Sequence, residues 1–341
     1  DAEVLRLLRR RSLAALRAEV EPVDVVDYAR FLPQWQGLGG QLRGPDGLLR
    51  AIEQLSGAVL PASAIETLVL PSRIADYTPA LLDELLSAGD VVWQGHGPLP
   101  GDDGWISLHL AETAPLTLQP PSGQPDDGVA SRLADSLAGG GAYFFRSLAD
   151  LAPEESTTTV TTALWDLVWA GLVTGDTFAP VRGLLAGGRS AHKRAPIPAR
   201  ATRYGRRGSL ASLRGGRPAG RLPSTALPPS VGGRWSALPP LDRDPTARAL
   251  LDAEILLDRY GVVTRGVAAV EETDGGFAAI YRVLAAAEDS GRVRRGYFVE
   301  SLGAAQFATT GAIDRLRSQA APPGGEPGGT PRDRALVLAA T

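Results

Sequence analysis

IYRVLAAAEDSGRVRRGYFVESLGAAQF, residues 280–307, reads as a helix, a stop and two short extended segments. Val283, Leu284 and Ala287 recur at helical spacing, so one helix face is apolar. Ser290-Gly291 ends the helix, because glycine takes the left-handed conformation past a helix C-terminus at little steric cost. Val293, Tyr297, Phe298 and Val299 suit pleated backbone, with Gly296 at a turn. The pattern occurs twice earlier, as LLDELLSAGDVVW at 81–93 and ALWDLVWAGLV at 163–173. Aligned on Gly89, Gly171 and Gly291, each copy has apolar residues seven and eight positions before the glycine and a Val two positions after it. A helix that feeds a β-wing after two shorter helices is the winged variant of the helix-turn-helix. The chain is therefore predicted to be mainly α with small β-wings, an α+β chain of tandem winged-helix domains.

Working outward, the chain separates into segments. Residues 1–43 are an N-terminal helical segment, part of a winged helix; 2–18 form a basic amphipathic helix and Pro22–Leu32 a second helix ending before Pro33. Winged helices are predicted at 44–112, 129–184 and 244–320. In the first, Thr78 caps the third helix, and the wing runs Val91–Gln94 and Trp105–Leu110 around His96-Gly97-Pro98, with Trp93 and Trp105 paired across it. In the second, Val129–Leu137, Tyr143–Leu151 and Ser156–Ala170 are helices, and Trp165 and Trp169 form one apolar stripe. Residues 113–128 are a Pro/Gly linker, 185–243 a Gly/Pro/Arg-rich connector, and 321–341 a linker with a first strand, Ala335–Ala340, of a further domain.

Composition narrows the function. With 44% apolar and 21% charged residues the chain is an ordinary globular one. It has no apolar run long enough to span a bilayer, so no membrane role is expected, and it reads as a cytoplasmic, internal part of a longer protein. Zero Cys and three scattered His (His96, His109, His192) exclude a disulfide framework and argue against a metal centre. No GxxxxGK[ST] loop occurs, and the only Lys, Lys193, lies in no such context.

Charge is unevenly placed. Thr177–Leu241 holds no Asp or Glu but twelve cations: Arg182, Arg189, Lys193, Arg194, Arg200, Arg203, Arg206, Arg207, Arg214, Arg217, Arg221 and Arg234. Arginine interleaved with glycine and an aromatic, as in Arg203-Tyr204-Gly205-Arg206-Arg207-Gly208, suits a nucleic-acid backbone. The candidate DNA-binding residues are Arg194, Arg203, Arg206 and Arg207, then Arg234 and Trp235 where the connector docks onto the next domain, and Arg292, Arg294 and Arg295 on the last wing. Gln34-Trp35-Gln36 offers two amides and a ring, either to read a base edge and orient a water or as an ordinary helix-to-loop junction.

The segments LLDRYGVVTRGVAAVE (256–271), GGFAAIYRVLAAAEDSGRVRRGYFVESLGAAQFA (275–308), GGRWSALP (232–239), ALWDLVWAGLVTGDT (163–177) and RFLPQWQG (30–37) resemble the C-terminal region of the bacterial large helicase-related (Lhr) proteins. The resemblance implies tandem winged helices, with 321–341 opening a truncated β-barrel, behind a superfamily 2 motor that moves 3′ to 5′ on DNA. It implies that ATP and magnesium belong to that motor and that the fragment itself holds no cofactor. The partner would be DNA, single-stranded or a tailed duplex, in a homo-oligomeric repair helicase associated with the nucleoid. The chain is also similar to AlkZ-type DNA glycosylases, whose Gln-x-Gln motif Gln34-Trp35-Gln36 matches. That implies an alternative, excision of a uracil or alkylated base with Gln34 and Gln36 as catalytic residues. A transcription regulator would share the winged helices, but nothing in the sequence points to a preferred duplex site.

Overall fold

The computed structural model describes residues 21–123, 125, 128–187, 227–303 and 305–319. Two segments, 2–18 and Ala335–Ala340, lie outside them, as does most of the connector. The chain divides into two compact units, Gly40–Asp242 and a second made of Asp1–Gly39 with Arg243–Thr341.

The repeat is real at the level of backbone. Gly89, Gly171 and Gly291 have φ of 83°, 77° and 82°, the left-handed turn that only glycine adopts readily. The aligned Leu82, Leu164 and Leu284 are all buried. Each repeat also builds a three-stranded antiparallel sheet in the same order, first strand, third, second. A helix turning at glycine into a strand, with an earlier short strand pairing outside, is thus formed three times from different sequences.

Helix α1 (Val25–Trp35) belongs to the second unit. In the Gly40–Asp242 unit, the first repeat runs α2 (Gly44–Leu55), β1 (Leu60–Pro61), α3 (Pro79–Ala88), β2 (Val91–Leu99) and β3 (Asp103–Leu110). Pro79 starts α3 where its missing N–H costs nothing, but the Thr78 hydroxyl makes no cap bond. The wing is longer than predicted. Its strands continue through His96-Gly97-Pro98 by a bulge at Gly95/Gly97, and Trp93 faces Leu108 while Trp105 faces Gly97. The two Trp therefore do not pair.

The second repeat runs α4 (Val129–Ala138), β4 (Tyr143–Phe144), α5 (Phe145–Ala149), α6 (Thr157–Trp169), β5 (Val173–Gly175), α7 (Ala179–Gly187) and β6 (Arg234–Ala237). Ser156 caps α6 through its hydroxyl. Residues 143–144, expected in a helix, are a strand. Residues 234–237, expected in the connector, are the central strand of this sheet, hydrogen-bonded to both β4 and β5. The basic block therefore sits, in chain order, inside the β5–β6 wing of the second repeat.

Why the wing of the first repeat is so long is answered by what it touches. Trp93 is fully buried, packed edge-on against Trp235 at 6.4 Å and Phe178 at 6.1 Å; Trp235 meets Trp165 at 5.9 Å, and Trp165 meets Trp169 at 5.1 Å. Trp93 Nε1 donates to the Gly175 carbonyl and Trp165 Nε1 to the Ser230 carbonyl, so both indoles are satisfied inside the core. A Cβ at Gly95 would lie 2.4 Å from the Val168 carbonyl, and one at Gly104 2.3 Å from the Trp169 ring. The wing is flattened by glycine so that it can lie on α6. Asp83 of α3 adds a polar clasp: it accepts from Thr177 Oγ1, the Phe178 amide and Arg182, and Arg182 also pairs with Glu66. Burial alone would raise the Asp83 carboxyl, but the hydrogen bonds from Arg182, Thr177 and Phe178 outweigh it and hold it below its usual range.

In the second unit, α8 (Pro245–Tyr260), β7 (Val262–Val263), α9 (Arg265–Val270), α10 (Gly276–Asp289), β8 (Arg294–Gly296), β9 (Gln306–Ala308) and α11 (Thr310–Gln319) form the last repeat. The Asp244 and Thr264 side chains cap α8 and α9. Helix α1 packs on α11 and α8; Val23, Tyr28 and Phe31 share a core with Val262, Phe298, Val299, Ala312 and Leu316. That packing carries α1 through Pro33 to Trp35, past the predicted end, because Phe31 and Trp35 stack at 5.2 Å on the same face. No helix among the described residues is long and apolar enough to cross a membrane.

Within the first unit, a chain of buried hydrogen bonds joins His96 Nε2, Ser107 Oγ, His109 Nε2 and, through His109 Nδ1, Thr117 Oγ1, each step 2.6–2.8 Å. Burial pushes His96 down to about 4 and, with the neighbouring His96, His109 down to about 3. Both stay neutral in the fold, while an unfolded His protonates near 6.5. Stability is therefore complete above about pH 6.5 and is lost as pH falls below it, by about 1.4 kcal/mol per pH unit for each His until its folded pKa is reached. Denaturant titrations followed by Trp fluorescence, which reports mainly this unit, are expected to lose stability between pH 7 and pH 5. A flat profile over that interval would mean that these histidines are not held neutral.

Candidate nucleic-acid interface

In a winged helix the helix before the wing and the wing itself carry the contacts to DNA. The three repeats differ sharply there. Helix α3 (PALLDELLSA) has two carboxylates and no cation, and β2 has no Lys or Arg either. Helix α6 (TTTVTTALWDLVW) offers hydroxyls and one Asp, and its C-terminal turn is covered by the first wing. Only α10 and β8 combine cations on both elements.

On α10 the buried side is Ile280, Leu284, Ala287 and Glu288, so Arg282 projects from the exposed face. Arg292 follows the terminal glycine; its side chain is 65% exposed, and its ion pair with exposed Glu254 is 3.8 Å long and worth little. Arg294 starts β8, half-buried, opposite Ala308. Arg282 and Arg294 have no carboxylate partner among the described residues. Arg295 is different. It pairs with buried Glu288, hydrogen-bonds Tyr281 Oη and lies over the Tyr281 ring. Its charge is consumed in holding the wing to α10.

The predicted residues thus divide. Arg292 and Arg294 follow α10 and open β8, and α10 itself carries Arg282, which the sequence reading did not single out. The signal was present: comparing the third helix of each repeat shows a mid-helix cation only in the last. Arg295 braces the wing against α10. Trp235 cannot offer its ring to DNA, because it is the fully buried centre of the tryptophan cluster; as part of β6 it closes the second repeat's own sheet. Arg234 is exposed at the sheet surface, with Asp176 accepting from both its backbone N–H and its Nε at 2.7 and 2.6 Å. Arg194, Arg203, Arg206 and Arg207 lie outside the described residues.

Gln34 and Gln36 spend their amides on the protein. Gln34 and exposed Gln319 of α11 exchange amide hydrogen bonds, and Gln36 Nε2 donates to the Arg259 carbonyl at the end of α8. Between them Trp35 donates to the Asp258 carbonyl and carries Arg315 over its ring. Beneath this junction Arg259 and Tyr260 both bind Glu271, and burial raises nearby Asp252 to about 6 against the opposing pull of Arg248. The arrangement ties α1 to α8 and α11. No cluster of three or more metal-ligating side chains occurs among the described residues.

Residues 23–111 and 242–327 match two family models, each described as a winged-helix domain of the large helicase-related protein. Over 347 residues the chain is 50% identical to a Mycolicibacterium smegmatis protein named "Lhr helicase/ probable uracil glycosylase", covering 100% of this chain and 22% of that protein. The chain belongs to the large helicase-related (Lhr) family. An Escherichia coli "Lhr helicase/uracil glycosylase" is 38% identical over 346 residues, covering 93% of this chain and again 22% of the relative. The chain thus spans about a fifth of the curated Lhr relatives it matches. The first match begins at residue 23 and so takes in α1, which the structure packs with the last repeat.

Replacing Arg295 by Gln removes the cationic partner of buried Glu288 and is expected to cost on the order of 2–3 kcal/mol, below the fully buried range because Arg295 is partly exposed. Arg282→Gln is expected to change stability by less than about 0.5 kcal/mol. Denaturant unfolding of the two variants distinguishes a brace from a surface contact; equal stabilities would contradict the division.

Proposed function

We propose that this chain is a DNA-binding module of an Lhr-type helicase, gripping DNA chiefly through Arg282, Arg292 and Arg294 of its last winged helix. The observation that carries the reading is that only this repeat leaves both its helix and its wing cationic and open. The middle repeat is a third winged helix, whose contact helix is occupied by its neighbour's wing and whose own wing carries the basic block. That block adds affinity by charge, without sequence preference. The motor, with its ATP and magnesium, lies elsewhere in the longer protein. Homo-oligomerisation and a preference for single-stranded or tailed DNA complete the proposal.

A second reading, base excision, is supported by the printed names of both relatives, which include uracil glycosylase. The engaged amides of Gln34 and Gln36 favour a structural role for these residues, so the excision chemistry is assigned to residues elsewhere in the longer protein.

Binding of the chain to a labelled oligonucleotide over a salt series tests the first reading. Affinity is expected to fall steeply with salt, and the triple Arg282/Arg292/Arg294→Gln variant to bind more weakly with a slope shallower by about two to three. Salt-independent binding, or an unchanged slope, would remove the proposed grip. Adding uracil-containing strands to the longer protein with Gln34→Ala and Gln36→Ala tests the second reading; loss of base release in a folded variant would return those residues to the chemistry.

A further inference from the structure

The outer face of the second repeat's sheet carries an aromatic side chain that the core does not use. Strand β4 pairs with β6 so that Tyr143 stands opposite Trp235 and Phe144 opposite Arg234. Successive strand residues point to opposite faces. Trp235 is fully buried, so the Tyr143/Trp235 pair faces the core and the Phe144/Arg234 pair faces solvent. Phe144 is 62% exposed, the most exposed aromatic among the described residues, although Phe145 next to it is buried. It lies on an edge strand, where a large ring gains no cross-strand cover on its outer side.

We propose that Phe144 and Arg234 form a stacking platform for an unpaired nucleobase, a contact to single-stranded nucleic acid separate from the arginine grip of the last winged helix. The inference rests on the reading of this chain as a DNA-binding module. Directly opposed residues on one sheet face have Cβ atoms about 5 Å apart, so a ring and a guanidinium at these positions are neighbours. A base laid on the phenyl face gains stacking, and the guanidinium beside it meets the adjoining phosphate or stacks on the next base. Arg234 is held in place for such a contact, because its Nε and backbone N–H both donate to Asp176, and the guanidinium makes no other hydrogen bond among the described residues. Carboxylates are scarce along the chain that supplies this face, since Asp176 is followed by none before Asp242. Bases inside a duplex do not present their faces, so the platform selects single strands.

The test uses the full chain and a single-stranded oligonucleotide carrying 2-aminopurine, whose fluorescence is quenched by stacking, beside a duplex of the same length. Phe144→Ala is expected to weaken single-strand binding about 5- to 100-fold and abolish the quench, with duplex binding unchanged. Phe144→Trp is expected to retain both the affinity and the quench. Phe144 is exposed, so neither variant should disturb folding, and unfolding curves verify this. If the wild-type chain binds the strand but Phe144→Ala binds and quenches as well as wild type, the platform is wrong and the binding module stands. If the wild-type chain binds no nucleic acid at all, both fail.

Discussion

The structure depends on a tryptophan, Trp93, that leaves its own repeat to be buried in the next. It sits between Phe178 and Trp235, donates to the Gly175 carbonyl, and draws the β2–β3 wing across α6. Burying an indole of this size is worth several kcal/mol, and truncating one typically costs about 3–5 kcal/mol. That is comparable with the whole net stability of many domains. The contact therefore decides how the first two repeats are used. A wing that serves as a core surface cannot also enter a groove of DNA, and a helix covered by that wing cannot present its C-terminal turn. Glycine at 95 and 104 is the local condition for it, since any side chain there would collide with α6.

The last repeat keeps the same scaffold without that constraint. One part of its core joins α1 to α11 and another joins α8 to the buried side of α10, while Arg282 on α10 and Arg292 beyond it are exposed. Arg295, Glu288 and Tyr281 fix the wing to the helix. Of three copies of one small fold, the first two pack on each other through the wing that carries Trp93.

Much of the fold was legible because it rests on local chemistry. The helix-terminating glycines and the leucines seven positions before them are short-range signals, and the structure honours each. What was not legible is long-range. Trp235 looked like part of a basic connector because its strand partners, Tyr143 and Gly175, are distant in sequence. Trp93 and Trp105 looked like a cross-strand pair because both are large rings in the wing, but the hairpin register sets Trp93 opposite Leu108, three residues from Trp105. Helix α1 ended early in the sequence reading because Pro33 is a local stop signal that tertiary burial of Phe31 and Trp35 overrides. For the site, the charge of Arg292, Arg294 and Arg295 was visible, but the buried Glu288 that claims Arg295 was not. The motif Gln34-Trp35-Gln36 was read for its chemistry, while its hydrogen bonds to Gln319 and Arg259 depend on a helix almost three hundred residues later and on the end of α8.

The most direct measurement of this division of labour is amide hydrogen exchange of the chain with and without saturating DNA. The account predicts slow exchange in β2, β3 and α6 that DNA leaves unchanged, together with new protection across α10 and β8. New protection in α3 and the β2–β3 wing, with none in α10 and β8, would contradict it.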